Sequence, residues 1–157
     1  MPNILLTRID NRLLHGQVAV TWSHHVGANL ILVCNDEVAE DKIQQSLMDM
    51  ACPPSMQTRY FSIEKTIQII HKASPKQMIA LIVRNPQDVL RLVEGGVPID
   101  KVNIGNMHYS EGKDQVTSTV SLDDSDRDAF KKLTDRGVVC TIQRVPSEKA
   151  VEIQKYL

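Results

Sequence analysis

Aromatic residues are scarce in this chain, and so is any excess of one charge. Only 4% of residues are Phe, Trp or Tyr, and 18 Lys and Arg against 19 Asp and Glu leave a formal net charge of -1. A nucleic-acid-binding domain needs a basic surface to displace counterions from phosphates and gains from aromatic platforms for bases, so both absences argue against such a partner. No apolar run approaches the ~20 residues that span a bilayer, and the N-terminus lacks the basic, apolar and small-residue order of a secretory signal. These absences predict a cytoplasmic protein. Cysteine is sparse too: Cys34, Cys52 and Cys140 are odd in number, widely spaced and without a CxxC pair, which excludes a disulfide framework and a zinc site. Cys34 and Cys140 lie in apolar runs and read as small buried hydrophobes. The Walker and GxGxxG patterns are also missing, which counts against a nucleotide-holding binding module.

What is present is a regular alternation of short β-rich runs and amphipathic stretches over a length that suits one domain, residues 1–157. Seven runs read as strands: Asn3 to Ile9, Asn29 to Cys34, Gln57 to Phe61, Met78 to Val83, Lys101 to Ile104, Val116 to Val120 and Val138 to Arg144. The first, second and fourth are nearly continuous Ile, Leu and Val, as parallel strands buried on both faces require. Between them Ile43, Leu47, Met50 and Ala51 share one helical face, as do Ile63, Ile67 and Ile70. Asn85, Pro86 and Asp88 read as N-cap, first-turn proline and dipole-compensating acid, and Gly95 and Gly137 as helix stops. The segment holding Gly105 and Gly112 has no helical pattern and reads as a long functional loop. In a right-handed, doubly wound α/β sheet all parallel strands point their carboxyl ends to one edge. Asp10 to Gln17, Asn35 and Asp36, Arg84 and Asn85, and Gly105 to His108 follow those ends, so the chemistry is expected there.

The first of these loops is the richest. In extended backbone Arg8, Asp10 and Arg12 project the same way, so Asp10 can hold one or both guanidiniums by charge-assisted hydrogen bonds. His15 follows, immediately before a helix expected from Gly16 or Gln17 through Trp22. A helix start offers free N–H groups and the positive end of the dipole, Gly16 leaves backbone access open, and Arg8 or Arg12 adds a cation. A neutral imidazole is a nucleophile at cytoplasmic pH, and a phosphoramidate formed on it keeps its transfer potential. From the residues alone this is an anion-binding loop, and a structural salt bridge beside an ordinary loop histidine remains the alternative.

The segment RIDNRLLHGQV, Arg8 to Val18, resembles the active-site signature of the enzyme IIB components of the mannose, fructose and sorbose family of the phosphoenolpyruvate-dependent sugar phosphotransferase system. ILVCNDEVA, Ile31 to Ala39, and VNIGNMHYSEG, Val102 to Gly112, resemble two further family segments in the right order, so the resemblance covers essentially the whole chain. It implies a three-layer fold in which a mainly parallel seven-stranded open sheet carries helices on both faces. It implies a phosphocarrier whose His15 takes a phosphoryl group on Nδ1 from the phosphohistidine of a IIA component. The group then passes to a sugar held by membrane IIC and IID components, with the carrier associated peripherally with that complex. By the same resemblance Arg12 is the phosphate clamp and transfer residue, Asp10 orients the arginines, and Arg8, Gly16, Gln17, Asn35 and Asp36 border the site. The run GVPIDKVNIGNMHYSEGK, Gly96 to Lys113, is similar to members serving N-acetylgalactosamine or galactosamine; a mannose-type hexose is the wider expectation.

The remaining features need no cofactor and no metal. His24 and His25 are adjacent on a helix and point ~100° apart, which makes them poor joint ligands. His71 reads as a helix-end cation and Trp22 as core or interface. Asp123, Asp124 and Asp126 suit the positive end of a helix, and His108 is placed to face His15 and support transfer. No acidic pair follows the first strand, so a response-regulator receiver does not fit.

Overall fold

The computed structural model describes residues Met1–Leu157. In chain order the elements are β1 (Asn3–Asp10), α1 (Val18–Val26), β2 (Leu30–Cys34), α2 (Lys42–Asp49), β3 (Gln57–Phe61), α3 (Ile63–Ile69), β4 (Met78–Val83), α4 (Pro86–Glu94) and β5 (Lys101–Asn106). They continue with β6 (Asp114–Gln115), β7 (Ser121–Leu122), α5 (Asp124–Asp135), β8 (Val139–Ile142) and β9 (Val151–Glu152). One seven-stranded sheet has the order β3-β2-β4-β1-β5-β8-β9, and every pairing in it is parallel except β8 with β9. β2 is buried along its whole length and β4 from Ile79 onward, because helices cover both faces of these central strands.

Alternation along the strands sorts the core into two layers. On one face Ile9, Leu30, Leu32, Leu81, Val102 and Ile104 pack against Ile63 of α3, Val89 and Leu92 of α4 and Phe130 and Leu133 of α5. On the other, Leu6, Ile31, Val33, Ala80 and Ile82 pack against Ala19, Val20 and Trp22 of α1 and Met48 of α2. The second layer stops at β1. On that side of β5 and β8, Lys101 is exposed and Thr141 half-buried, and Asn103, though buried, is polar because it pairs with Arg8.

Caps hold the helices where the sequence places them. Asn85 Oδ1 accepts the Asp88 N–H at 2.8 Å with Pro86 in the first turn, and Asp123 and Asp126 form a reciprocal capping box. Two expectations need correction. Val116 to Val120 is no strand of the main sheet, because the Val116 and Thr117 N–H groups turn back to the Val120 carbonyl and the Thr117 hydroxyl accepts the Thr119 and Val120 N–H groups. A threonine that satisfies the local backbone removes the donors a ladder needs; the flanking pairs form the small β6/β7 hairpin, and Val120 meets Met107, just past β5, in a single parallel bridge. The seventh strand is instead the two-residue antiparallel edge strand β9. The helix after His15 starts at Val18 and runs to Val26, a turn past Trp22. On α2 the shared face is turned outward, with Ile43 at 75%, Leu47 at 56% and Met50 at 82% exposure, and Met48 makes the core contact.

Cys34 and Cys140 are buried as expected, and burial pushes both thiols up to about 12. An unfolded thiol ionises near pH ~8.5, so between about pH 9 and about pH 12 the unfolded chain binds fewer protons than the folded one. Stability held below that window is thus lost progressively as pH rises through it. Urea melts across this range should show a steeper alkaline loss in the native chain than in a Cys34→Ala/Cys140→Ala variant. Equal slopes would mean that these thiols do not contribute.

Candidate active site

β1 lies at the centre of the sheet. Its outgoing connection leads past β4 to β2, while that of β5 leads the other way to β8. Where successive connections diverge, a crevice opens at the carboxyl edge. The loop between β1 and α1 rises at this point. Two leucines fasten it: Leu13 and Leu14 are buried in the α1-side core, although Leu13 has φ 60°, a left-handed conformation that costs a non-glycine residue ~1–2 kcal/mol. Gly16 is left-handed too, at φ 59°. His15 stands between these two reversals and is exposed.

The helix that follows begins unlike its neighbours. α2, α3, α4 and α5 are capped by the side chains of Asp41, Ser62, Asn85 and Asp123. Gln17 precedes α1 without a side-chain cap, and no acid stands in its first turn. The first N–H groups of α1 and the positive end of its dipole thus face the His15 loop unneutralised.

Asp10, at the end of β1, is buried and gathers both arginines. Its Oδ1 accepts the Arg12 backbone N–H at 3.0 Å and Nε–H at 3.1 Å, and its Oδ2 accepts Arg12 Nη2 at 3.1 Å. This fork leaves Arg12 Nη1 free of the carboxylate, on a side chain 32% exposed. Arg8 Nη2 lies 3.9 Å from the same Oδ2. Unlike Arg12, Arg8 is 2% exposed; its Nη1 donates to Asn103 Oδ1 and, at 3.3 Å, to the Gln143 carbonyl, and its guanidinium packs 5.6 Å from the Trp22 ring centre. Burial lowers the Arg8 pKa to about 10, which leaves it cationic at neutral pH. A buried cation that loses its partner is costly, by about 3–5 kcal/mol. Asp10→Asn should therefore lower unfolding stability by about that amount, read by urea denaturation. A loss under about 1 kcal/mol would mean that Asn103 and Gln143 suffice for Arg8.

Two clefts flank the loop. One, of about 440 Å³, is lined by Arg8, Arg12, Asn106, Thr119 and Arg144. The other, of about 280 Å³, is lined by Asn11, Arg84, His108, Tyr109 and Lys113. His108 is exposed and belongs to the second cleft, across the loop from Arg12. Asn35 and Asp36 line neither. Asn35 Oδ1 accepts the Val38 N–H at 3.0 Å, while Asp36 accepts the Ile63 N–H at 2.9 Å and Arg91 Nη1 at 3.0 Å, which hold its carboxyl below the usual range. These bonds tie β2 to α3 and α4. Arg144 is the guanidinium that sequence reasoning missed as a site residue. It follows β8 at the same edge, its carbonyl accepts Trp22 Nε1–H at 2.8 Å, and its side chain pairs with Glu148 at 3.1 Å. Asn11 Oδ1, Arg84 Nε and Asn106 Oδ1 are buried polar atoms without a hydrogen-bond partner, and all three follow or end β1, β4 or β5 at this edge.

A family model for the phosphotransferase system sorbose subfamily IIB component matches residues 4–157. The chain belongs to this family. This IIB component is 51% identical over all of both chains to the N-acetylgalactosamine-specific phosphotransferase enzyme IIB component 2 of Escherichia coli (strain K12). The crystal structure of a PTS-dependent N-acetylgalactosamine IIB component from Streptococcus pyogenes superposes with a TM-score of 0.95 at 45% identity, covering 100% of this chain and 99% of that one. The mannose-specific EIIAB component of E. coli K12 is 39% identical over 94% of this chain, which spans 46% of that protein. The IIB component is accordingly a sugar phosphotransferase of the phosphotransferase system, built on the parallel sheet described above. No helix in it is long and apolar enough to cross a membrane.

Proposed function

We propose that His15 carries the phosphoryl group, taking it from the phosphohistidine of a cytoplasmic IIA component and giving it to a sugar held by membrane IIC and IID components. The observation that carries this reading is the placement of His15: an exposed residue between left-handed Leu13 and Gly16, before an uncapped helix start and in the same loop as Arg12, whose guanidinium Asp10 holds. In the first step Nδ1 of His15 attacks phosphorus, the donor's P–N bond breaks, and the donor imidazole keeps the electron pair. In the second a sugar hydroxyl oxygen attacks, its proton is released, and the His15 P–N bond breaks with its electrons returning to the ring. Both need an in-line approach, which an exposed ring at the rim allows.

Arg12 is the clamp. With Nε and Nη2 committed to Asp10, Nη1 is the part of the fork left for equatorial phosphoryl oxygens. Asp10 orients it, Gly16 and Gln17 keep the helix start open to the anion, Arg8 supports Asp10 and His108 borders the loop, while Asn35 and Asp36 act only at a distance, through their bonds to Val38, Ile63 and Arg91. The mannose-specific relative, whose name joins A and B components in one protein, supports a IIA donor, and the N-acetylgalactosamine-specific relatives support that sugar or galactosamine as the acceptor. Peripheral association with the membrane complex follows from the handover. The test supplies phosphoenolpyruvate, the general phosphotransferase proteins, a cognate IIA and membranes carrying IIC and IID, then offers a sugar panel. N-acetylgalactosamine or galactosamine phosphate should accumulate only when this chain is present; a phosphorylated chain that serves neither sugar, nor any mannose-type hexose, would overturn the acceptor assignment.

A further inference from the structure

The loop chemistry also rests on the strand beside it. β1 and β5 run in parallel with Ile9 opposite Ile104, yet Asp10 lies opposite Asn106. One residue of β5 is therefore extra, and it is Gly105. A bulge beside an active site re-aims the neighbouring chain, and here the neighbour is the strand end that bears Asp10. The glycine also has a steric consequence. A Cβ at residue 105 would overlap Nη2, Cζ and Nη1 of Arg8, while no backbone atom is among its nearest contacts. The Arg8 guanidinium thus lies directly against the bare β5 backbone, with Trp22 also packed against it and Asn103 and the Gln143 carbonyl accepting from it.

We infer that Gly105 is a positioning residue for phosphoryl transfer: its missing side chain seats Arg8, Arg8 holds Asp10, and Asp10 holds the fork of Arg12. This rests on the reading of His15 as the carrier and Arg12 as its clamp. Each link is a close approach in the structure. Arg8 reaches Asp10 Oδ2, the same oxygen that accepts Arg12 Nη2, so moving one guanidinium alters the carboxylate that orients the other. Asn103 is the second positioning residue, because it fixes Arg8 along the sheet while Gly105 fixes it across. A methyl at residue 105 meets only the far end of a flexible side chain, so the chain can stay folded while the guanidinium shifts. A displacement of about 1 Å suffices to slow a positioned transfer about 100-fold.

The test compares Gly105→Ala, Asn103→Ala, Arg8→Ala and the Gly105→Ala/Arg8→Ala double variant with the native chain. Single-turnover transfer from the phosphorylated chain to sugar is measured at varied partner concentration, and the Arg12 Nε–H resonance is followed by NMR. Gly105→Ala should slow saturated transfer by about 100-fold and Asn103→Ala by about tenfold, with half-saturation within about twofold of native. The Arg12 Nε–H signal should lose its protection, a change that simple destabilisation of a folded chain would not produce. Adding Gly105→Ala to Arg8→Ala should slow transfer no further, because the obstructed group is gone. Native rates in Gly105→Ala and Asn103→Ala, or a Gly105→Ala effect undiminished in the Arg8→Ala background, would overturn the inference while leaving the carrier reading intact. If Gly105→Ala does not fold, the Asn103→Ala rate and resonance decide. A native chain that takes up no phosphoryl group on His15 would overturn both.

Discussion

His15→Ala is expected to take up no phosphoryl group from IIA, a complete loss rather than a slowing. Four other histidines exist, and His24, His25, His71 and His108 are all exposed, so exposure is not what singles out His15. Each of the others lacks part of the surroundings. His24 and His25 end α1, where the dipole is negative, and His71 lies in the short helical turn after α3. His108 is at the right edge, but the cations of its cleft, Arg84 and Lys113, are paired with Glu37 and Asp126. Because His15 is an exposed loop residue, its replacement should change stability by no more than about 0.5 kcal/mol, and lost labelling cannot then be ascribed to unfolding. The label on the native chain should be acid-labile and alkali-stable, as a phosphoramidate is. Persistent labelling of His15→Ala would sink the assignment.

Arg12→Ala should separate the two halves of the reaction. In a loose transition state the charge sits on the three equatorial oxygens, where a positioned guanidinium is worth about 10³-fold or more. A IIA donor brings protein groups of its own to the first transfer, whereas a sugar brings a neutral hydroxyl and no cation. The variant should therefore still accept phosphate from IIA and pass it to sugar about 10³-fold more slowly. Arg12→Lys should rescue little, since one ammonium cannot reproduce the fork on Asp10 together with a free Nη1. Single-turnover measurements in both directions decide it. Equal slowing of the two steps would show that Arg12 merely shapes the loop, and native sugar transfer would remove it from the mechanism.

The parts of this molecule legible in the sequence are those governed by neighbours along the chain. The Asn85 cap, the acidic helix start at Asp123 to Asp126, the apolar β2 and β4 and the Arg8-Asp10-Arg12 cluster depend on spacing of a few residues, and the structure has them as read. Periodicity indicates that a helix has an apolar face without saying what covers it, and the face shared by Ile43, Leu47 and Met50 on and after α2 is turned to solvent. β9 is two residues long and exists through its pairing with Thr141 and Ile142, so no local pattern announces it. At the site, the pairing of Asp10 with Arg12 is legible along the chain, but what supports it is not. Asn103 lies 95 positions from Arg8, and the closeness of Gly105 to that guanidinium follows from the sheet order alone. Arg144 reaches the cleft for the same reason: β8 joins the sheet beside β5 and ends at the same edge.

The most direct measurement is to phosphorylate the intact chain through phosphoenolpyruvate, the general phosphotransferase proteins and IIA, and to locate the group by mass spectrometry under alkaline conditions with NMR assignment of the ring nitrogen. The account predicts one phosphoryl group per chain, on Nδ1 of His15, discharged when membranes carrying IIC and IID and the sugar are added. A group found on any other residue, or a chain that stays unlabelled while an authentic IIB component in the same mixture is phosphorylated, would contradict it.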